Sequence, residues 1–453
     1  MIYILCPYGN ATGGTELLHQ LGYTLNRLSY EVGIYYYGES KGDEPACNPA
    51  FEKYKVTRVR SIEDISNSLV IYPEMLVATV LSDRDKYRYV RRIIWWMSVD
   101  NAHVDENILM RLQEDKSLIH LCQSYYALDY VENTIGVEKA NYYYLSDYIS
   151  HNFLNINVND SARTNLVLFN PRKGYERTSR LIQNSNAGIS WKAISGLRPE
   201  DVPLVLRTAK VYIDFGNHPG KDRFPREAVS CGCRIITGLR GAAKYQQDVD
   251  IPIECKFDDD EDDSVILKKI YQLAGQYEDT EGLYQNYLNK IKEEFHIFET
   301  DVLKVFSRLL SDTRLEYAKE MKSKEIMLKE NILQNIAEGD LKDGYFNLIL
   351  YRTLEFTIND EFLIIEAYIR TMAREYQVVE YLTTCILNND ANNYEASIVR
   401  AEAIVASMST GIEPVKLNQV QKDIENAITN SLGTADERFI CERAKECLRK
   451  VNI

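Results

Sequence analysis

Apolar residues recur in short runs through the first two-thirds of the chain, each closed by a polar or glycine-bearing loop and followed by a helix-like spacing. The runs Met1–Cys6, Val32–Tyr37, Ser68–Tyr72, Ile93–Met97, His120–Gln123, Leu166–Phe169, Trp191–Ile194, Val211–Phe215 and Arg234–Thr237 read as strands. Between them lie amphipathic stretches, as where Leu17, Leu18, Leu21 and Leu25 share one face. Strand and helix alternate as parallel βαβ units require, and the polar stretch around Ser161 restarts the pattern. From about Thr313 the strand-like runs stop. Helix-sized units are then separated by NNDANN, STGIEP and SLGT, and the segments Cys385–Ala403 and Ile428–Lys445 are weakly alike. The expected organisation is an α/β domain over residues 1–155, a second over 156–312, and an all-α extension over 313–453.

The loops at the predicted strand ends carry the chemistry. In VYIDFGNHPGKDRFPREAVSCGC the strand breaks at Gly216 and Pro219-Gly220, Lys221, Asp222 and Arg223 crowd the loop, and Pro225 suits the first position of a helix that ends at Gly232. Carboxyl ends of parallel strands and N-termini of helices are where anions bind, so these cations point to a phosphate-bearing ligand. A second basic loop, Asn170-Pro171-Arg172-Lys173-Gly174, follows the Leu166–Phe169 run. Gly13-Gly14 open the first helix, with Thr15 as its expected cap, and they would let a ligand approach its amides. No GxGxxG is present, which argues against a dinucleotide fingerprint. Asp100 and His103 form the closely spaced Asp/His pair at a strand end. Helix capping and a surface histidine are the competing readings of that pair. In KYRYVRRIIWW, Lys86–Arg92 reads as a solvated helix face with the tryptophans in the core, and a membrane-interface patch is the alternative.

Composition narrows the partners. A net charge of -14 over 453 residues argues against bulk attraction to nucleic acid. The nine cysteines follow no zinc or disulfide spacing, Cys231 and Cys233 read as packed small residues, and DDDEDD reads as a solvated loop; no metal is expected. With no signal-peptide pattern and no membrane-length apolar run, the expected location is the cytoplasm, with peripheral attachment to the inner membrane face left open.

These residues resemble the donor-binding segment of GT-B glycosyltransferases, particularly the large retaining bacterial family with two glutamates eight residues apart. Glu227 in REAVSCGC matches the second glutamate, which in that family binds the ribose; Pro219 holds the place of the first, with His218 or Asp222 as substitutes. Arg172 and Lys173 resemble that family's Arg and Lys-Gly. The resemblance implies two Rossmann-like domains facing a cleft, and transfer of a sugar from a nucleotide-activated donor to a glycan or lipid-linked acceptor. It also implies bacterial surface-polysaccharide synthesis and a retained anomeric configuration. Donor-binding positions are then Gly13, Gly14, Arg172, Lys173, His218, Lys221, Arg223 and Glu227, and catalytic candidates are Asp100, His103 and Asp222. No cofactor or obligatory metal is implied. His218-Pro219 keeps a CMP-sugar donor open, and a nucleotide-sugar epimerase is a further enzymatic alternative. The small-residue pattern EASIVRAEAIVA is similar to tetratricopeptide repeats, which would dock a protein partner or another copy of the chain. The rival from another class is a non-catalytic scaffold carrying that helical module.

Overall fold

The computed structural model describes residues 1–38, 47–154, 163–316, 325–408 and 414–451. They form two compact units: Met1–Ile149 with Ile156–Ser311, and Ser150–Asn155 with Asp312–Ile453.

The first unit holds two parallel sheets. One contains β1 (Ile2–Pro7), β2 (Val32–Tyr37), β3 (Leu69–Pro73), β4 (Arg91–Trp96), β5 (Ile119–Cys122) and β6 (Tyr142–Tyr144), in the order β2-β1-β3-β4-β5-β6. The other contains β7 (Thr164–Phe169), β8 (Ser190–Ala193), β9 (Ala209–Asp214), β10 (Arg234–Gly238) and β11 (Lys256–Phe257), in the order β11-β10-β9-β7-β8. Strands of a parallel sheet are covered on both faces, so the central ones are continuously apolar: Ile93 to Trp96 and Val211 to Ile213 are fully buried. Chain order reverses between β1 and β3 in the first sheet and between β7 and β9 in the second, and crevices form at such switch points. The second switch is tight. Gly174 has a φ of +59°, and a Cβ there would sit 2.4 Å from the Phe215 carbonyl carbon, so the loops after β7 and β9 meet only because this residue has no side chain.

The surrounding helices are α1 (Gly13–Arg27), α2 (Val77–Ser82), α3 (Glu106–Glu114), α4 (Tyr125–Asp129), α5 (Tyr175–Asn184), α6 (Val202–Leu206), α7 (Arg223–Ser230), α8 (Asp263–Gly275) and α9 (Gln285–Leu309). Three local expectations need correction. The cap of α1 is Thr12, not Thr15: the two threonines form a reciprocal capping box, which starts the helix at Gly13. Helix α7 begins at Arg223, which puts Pro225 inside its first turn rather than at its first position. Lys86–Arg92 is not a helix face, because Arg91 and Arg92 open β4. Arg92 is buried, ion-paired to Asp115 at 2.8 Å and donating to the Val80 carbonyl, so its charge is spent inside the fold. The tryptophans are core: Trp96 Nε1 donates to His120 Nδ1 at 3.0 Å, and Trp95 Nε1 to the Leu145 carbonyl at 3.2 Å.

The second unit is helical: α10 (Glu325–Glu338), α11 (Leu341–Thr353), α12 (Asp360–Met372), α13 (Tyr376–Asn389), α14 (Tyr394–Ser407), α15 (Pro414–Ser431) and α16 (Glu437–Lys450). Asn393, the last residue of NNDANN, caps α14 through the Ala396 N–H. Most of STGIEP lies outside the described residues. Ion pairs tie the helices together: Arg400 of α14 holds Asp423 of α15 at 2.6 Å, Arg443 of α16 holds Glu402 of α14 at 2.6 Å, and the buried Arg370 of α12 holds Glu366 of its own helix and Glu375, which precedes α13, both at 2.9 Å.

Candidate active site

A cavity of about 710 Å³ lies where the carboxyl ends of the two sheets face each other. Its first wall is made of strand ends: Pro7 closing β1, Tyr37 closing β2, Pro73-Glu74 at the end of β3, Met97-Ser98 after β4, Gln123 after β5, and the start of α1. The second wall is Lys173 from the turn after β7, the Pro219–Arg223 loop after β9, and Phe224 and Glu227 of α7.

Direct contacts hold these walls together. The Val99 N–H donates to the Pro219 carbonyl at 2.7 Å, the Lys221 N–H donates to Gln123 Oε1 at 2.9 Å, and Asn217 Nδ2 donates to Asp100 at 2.6 Å. The Asp248 carboxylate accepts the N–H groups of Tyr125 and Tyr126 at the start of α4, at 2.8 and 3.0 Å. At the centre, Arg226 is 0 % exposed and binds Asp147 at 2.8 Å and Glu294 of α9 at 2.7 Å.

The residues singled out from the sequence fall in different places. Gly13, Gly14, Lys173, Lys221, Asp222, Arg223 and Glu227 all line the cavity. Its three lining cations are already paired: Lys221 Nζ lies 2.7 Å from Glu294, Arg223 binds Glu16, and Lys173 binds Asp222. Arg172 is exposed and does not line the cavity. Asp100 is exposed and outside the lining, its oxygens taken by Tyr126 and Asn217. His103 is likewise exposed, at a φ of +50°. His218 is fully buried behind Asp222.

The Asp214, His218 and Asp222 ligand atoms lie within 4.8 Å of one another, close enough to suggest a metal triad. The pairing argues otherwise. Asp214 faces His218 Nε2 at 3.6 Å, Asp222 faces Nδ1 at 3.1 Å, and Asp222 also carries the Lys173 ammonium. An ion bound by one ring nitrogen would leave the other carboxylate on the far side of the ring, and it would have to displace Lys173. Burial pushes the His218 pKa down, but the two carboxylates outweigh it and raise the pKa. The two acids on either side favour the charged form of the imidazole between them.

Residues not picked out from the sequence complete the site: Glu74, Asp147, Gln123, Arg226 and Glu294. Glu74 carried a readable signal, since it follows Pro73 at a predicted strand end. Burial pushes both Glu74 and Glu227 up to about 7. A carboxyl whose folded pKa is raised keeps its proton in the folded state where the unfolded chain has lost it, so stability falls as pH rises from about 4.5 to 7. Glu227→Gln removes that penalty. Its stability is expected to match the parent at pH 4 and to exceed it by roughly 1–3 kcal/mol at pH 8, as read by urea unfolding at both values.

No protein-family model matches the sequence, and no curated protein matches it. Among solved structures the chain is similar to a sucrose-phosphate synthase from Thermosynechococcus elongatus, at 13% identity and a TM-score of 0.50, over 68% of this chain and 99% of that one. It is also similar to a glycosyltransferase from Rickettsia africae ESF-5, at 10% identity and a TM-score of 0.52, over 69% of this chain and 98% of that one. Likeness at such identity establishes the fold of the matched part, two Rossmann-like domains facing a cleft in the GT-B arrangement; the all-α extension is seen in the chain's own C-terminal helices.

Proposed function

We propose that the chain is a glycosyltransferase that binds a nucleotide sugar on its second Rossmann-like domain and passes the sugar to a glycan or lipid-linked acceptor held by the first. The observation that carries this is the cavity bounded by the carboxyl ends of both sheets, with Glu227 and Lys173 on one wall and the Gly13-Gly14 helix start on the other. Glu227 would hold the ribose. Lys173, released from Asp222, would meet the diphosphate together with the α1 amides. The leaving diphosphate is stabilised by these fixed charges, so the mechanism requires no metal. We place the reaction in bacterial surface-polysaccharide synthesis at the cytoplasmic side, with the helical unit as a tetratricopeptide-like module that docks a partner or a second copy. No described helix is long and apolar enough to cross a membrane.

The scaffold reading is favoured by one observation, the pairing of Lys173, Lys221 and Arg223 with acids. A thermal-shift screen of UDP-, GDP-, dTDP-, ADP- and CMP-sugars separates the two. Enzyme predicts that at least one raises the melting temperature; scaffold predicts that none does. With the binding nucleotide in hand, Glu227→Gln is expected to weaken binding by about 1–3 kcal/mol in calorimetry, the worth of a charge-assisted hydrogen bond. Unchanged affinity would move the ribose elsewhere.

A further inference from the structure

Three neighbouring strand ends of the first sheet make one corner of the cavity. Pro7 of β1 is in register with Tyr37 of β2, and the pairing of Ile4 with Ile71, carried on past the end of β3, brings Glu74 level with Pro7 on its other side. Glu74 is 3 % exposed yet lines the cavity, and its Oε2 accepts the Met97 N–H at 3.3 Å, which orients the carboxyl. Tyr37 also lines the cavity, and its buried hydroxyl has no hydrogen-bond partner among the described residues. Pro7, between them, and Pro73, before Glu74, have no N–H to donate. The cavity's own cations are spent elsewhere: Lys173 on Asp222, Lys221 on Glu294 and Arg223 on Glu16. Among the described residues no ion pair reaches Glu74, so the first wall carries a buried acid without a counter-ion.

Resting on the glycosyl-transfer reading above, we infer that Glu74 and Tyr37 form a receptor for a protonated primary amine on the acceptor, carried by an amino sugar or by an aminoalcohol headgroup. An ammonium has three N–H donors and no lone pair. The corner is its complement, with carboxylate and phenol oxygens to accept and prolines that cannot compete as donors. A neutral hydroxyl would draw little from the charge of the carboxylate, whereas an ammonium makes a charge-assisted hydrogen bond roughly twice as strong as a neutral one. The electrostatics agree. A buried carboxylate without a counter-ion is costly, and burial pushes Glu74 up to about 7. An arriving ammonium supplies the missing positive charge and restores the ionised carboxylate. Burial, with Cys6 and Glu74 behind it, pushes Tyr37 up to about 12, so its hydroxyl stays a neutral phenol. Both residues belong to the wall proposed for the acceptor, which assigns the amine to the acceptor and not to the donor. The contact selects and orients the acceptor, and no part of the bond exchange at the anomeric carbon is asked of it.

The test uses the full-length chain at pH 7 and two pairs of probes that exchange an amine for a hydroxyl: glucosamine against glucose, and O-phosphoethanolamine against 2-hydroxyethyl phosphate. Affinities are read by saturation-transfer NMR, with the sugar nucleotide found by thermal shift present. In at least one pair the amine is expected to bind ~10–100-fold more tightly than its hydroxyl counterpart, the worth of a charge-assisted hydrogen bond. Which pair shows the preference tells an amino sugar from a headgroup. Glu74→Gln keeps an oxygen to accept the Met97 N–H; it should erase the preference and bind the sugar nucleotide as the wild type does. Tyr37→Phe should weaken the amine by ~3–10-fold, the share of one neutral hydrogen bond. Equal affinity of the wild type for amine and hydroxyl in both pairs, or a preference that survives in folded Glu74→Gln, overturns the receptor and leaves glycosyl transfer standing. If no sugar nucleotide binds wild type, both readings fall.

Discussion

Arg226→Ala is expected to lower stability by about 3–5 kcal/mol, a large share of what a folded protein has. The Arg226 guanidinium is fully buried and neutralises Asp147 and Glu294, two acids nearly 150 residues apart in the chain, while its Nη2 also holds the Lys221 carbonyl at 2.9 Å. Removing it leaves two buried carboxylates. Partial relief comes from Lys221, already 2.7 Å from Glu294, and from Arg223, 3.7 Å from Asp147. Arg226→Lys should fall between, because a single ammonium cannot span both carboxylates as the planar fork does. The urea midpoint should shift with little change in slope. A loss under ~1 kcal/mol would mean that neighbouring cations take over the neutralisation.

Gly220→Ala should cost activity rather than fold. A Cβ at Gly220 would lie 1.9 Å from the Met97 carbonyl oxygen, a backbone atom that cannot swing aside as a side-chain tip can. Reaching ordinary contact requires the Pro219–Arg223 loop and the Met97–Val99 segment to separate by about 1.5 Å, which breaks the Val99-to-Pro219 hydrogen bond. The two walls carry the proposed donor and acceptor sites, and misplacement of about 1 Å in such a site is worth ~10²-fold in rate. We therefore expect kcat/KM for the sugar nucleotide to fall by ~10²-fold with a small change in unfolding midpoint. Gly275→Ala, at a position with open space around the added Cβ, is the control and should leave turnover unchanged. Near-normal turnover in Gly220→Ala would show that this contact is not needed for catalysis.

What could be read from the chain alone is what local physics controls. A parallel strand covered on both faces must be a short apolar run, and its loop must be polar, so βαβ alternation and the change to pure helix are visible in spacing. Loops at strand ends are where parallel sheets bind ligands, so the stretches around Gly13, Lys173 and Lys221 could be marked before any coordinates. Even local signals slip where two readings satisfy the same chemistry. Thr12 and Thr15 are both capping residues, and the reciprocal box decided which one starts α1. The basic run before Ile93 looked solvated, because nothing nearby shows that Asp115 waits in the core for Arg92.

Tertiary structure alone decided how each charge is used. Arg172 and Lys173 are adjacent, but one is exposed and the other reaches the cavity and Asp222. Lys221 and Arg223, two residues apart, are bound to Glu294 and Glu16 in opposite directions along the chain. Glu74 becomes a buried carboxyl on the cavity only because β3 lies between β1 and β4 in the sheet. The physical reason is range: helix and strand periodicity is set by neighbours a few residues away, whereas the charge state and partner of a buried group are set by desolvation and by whichever opposite charge the packing brings within a few ångströms.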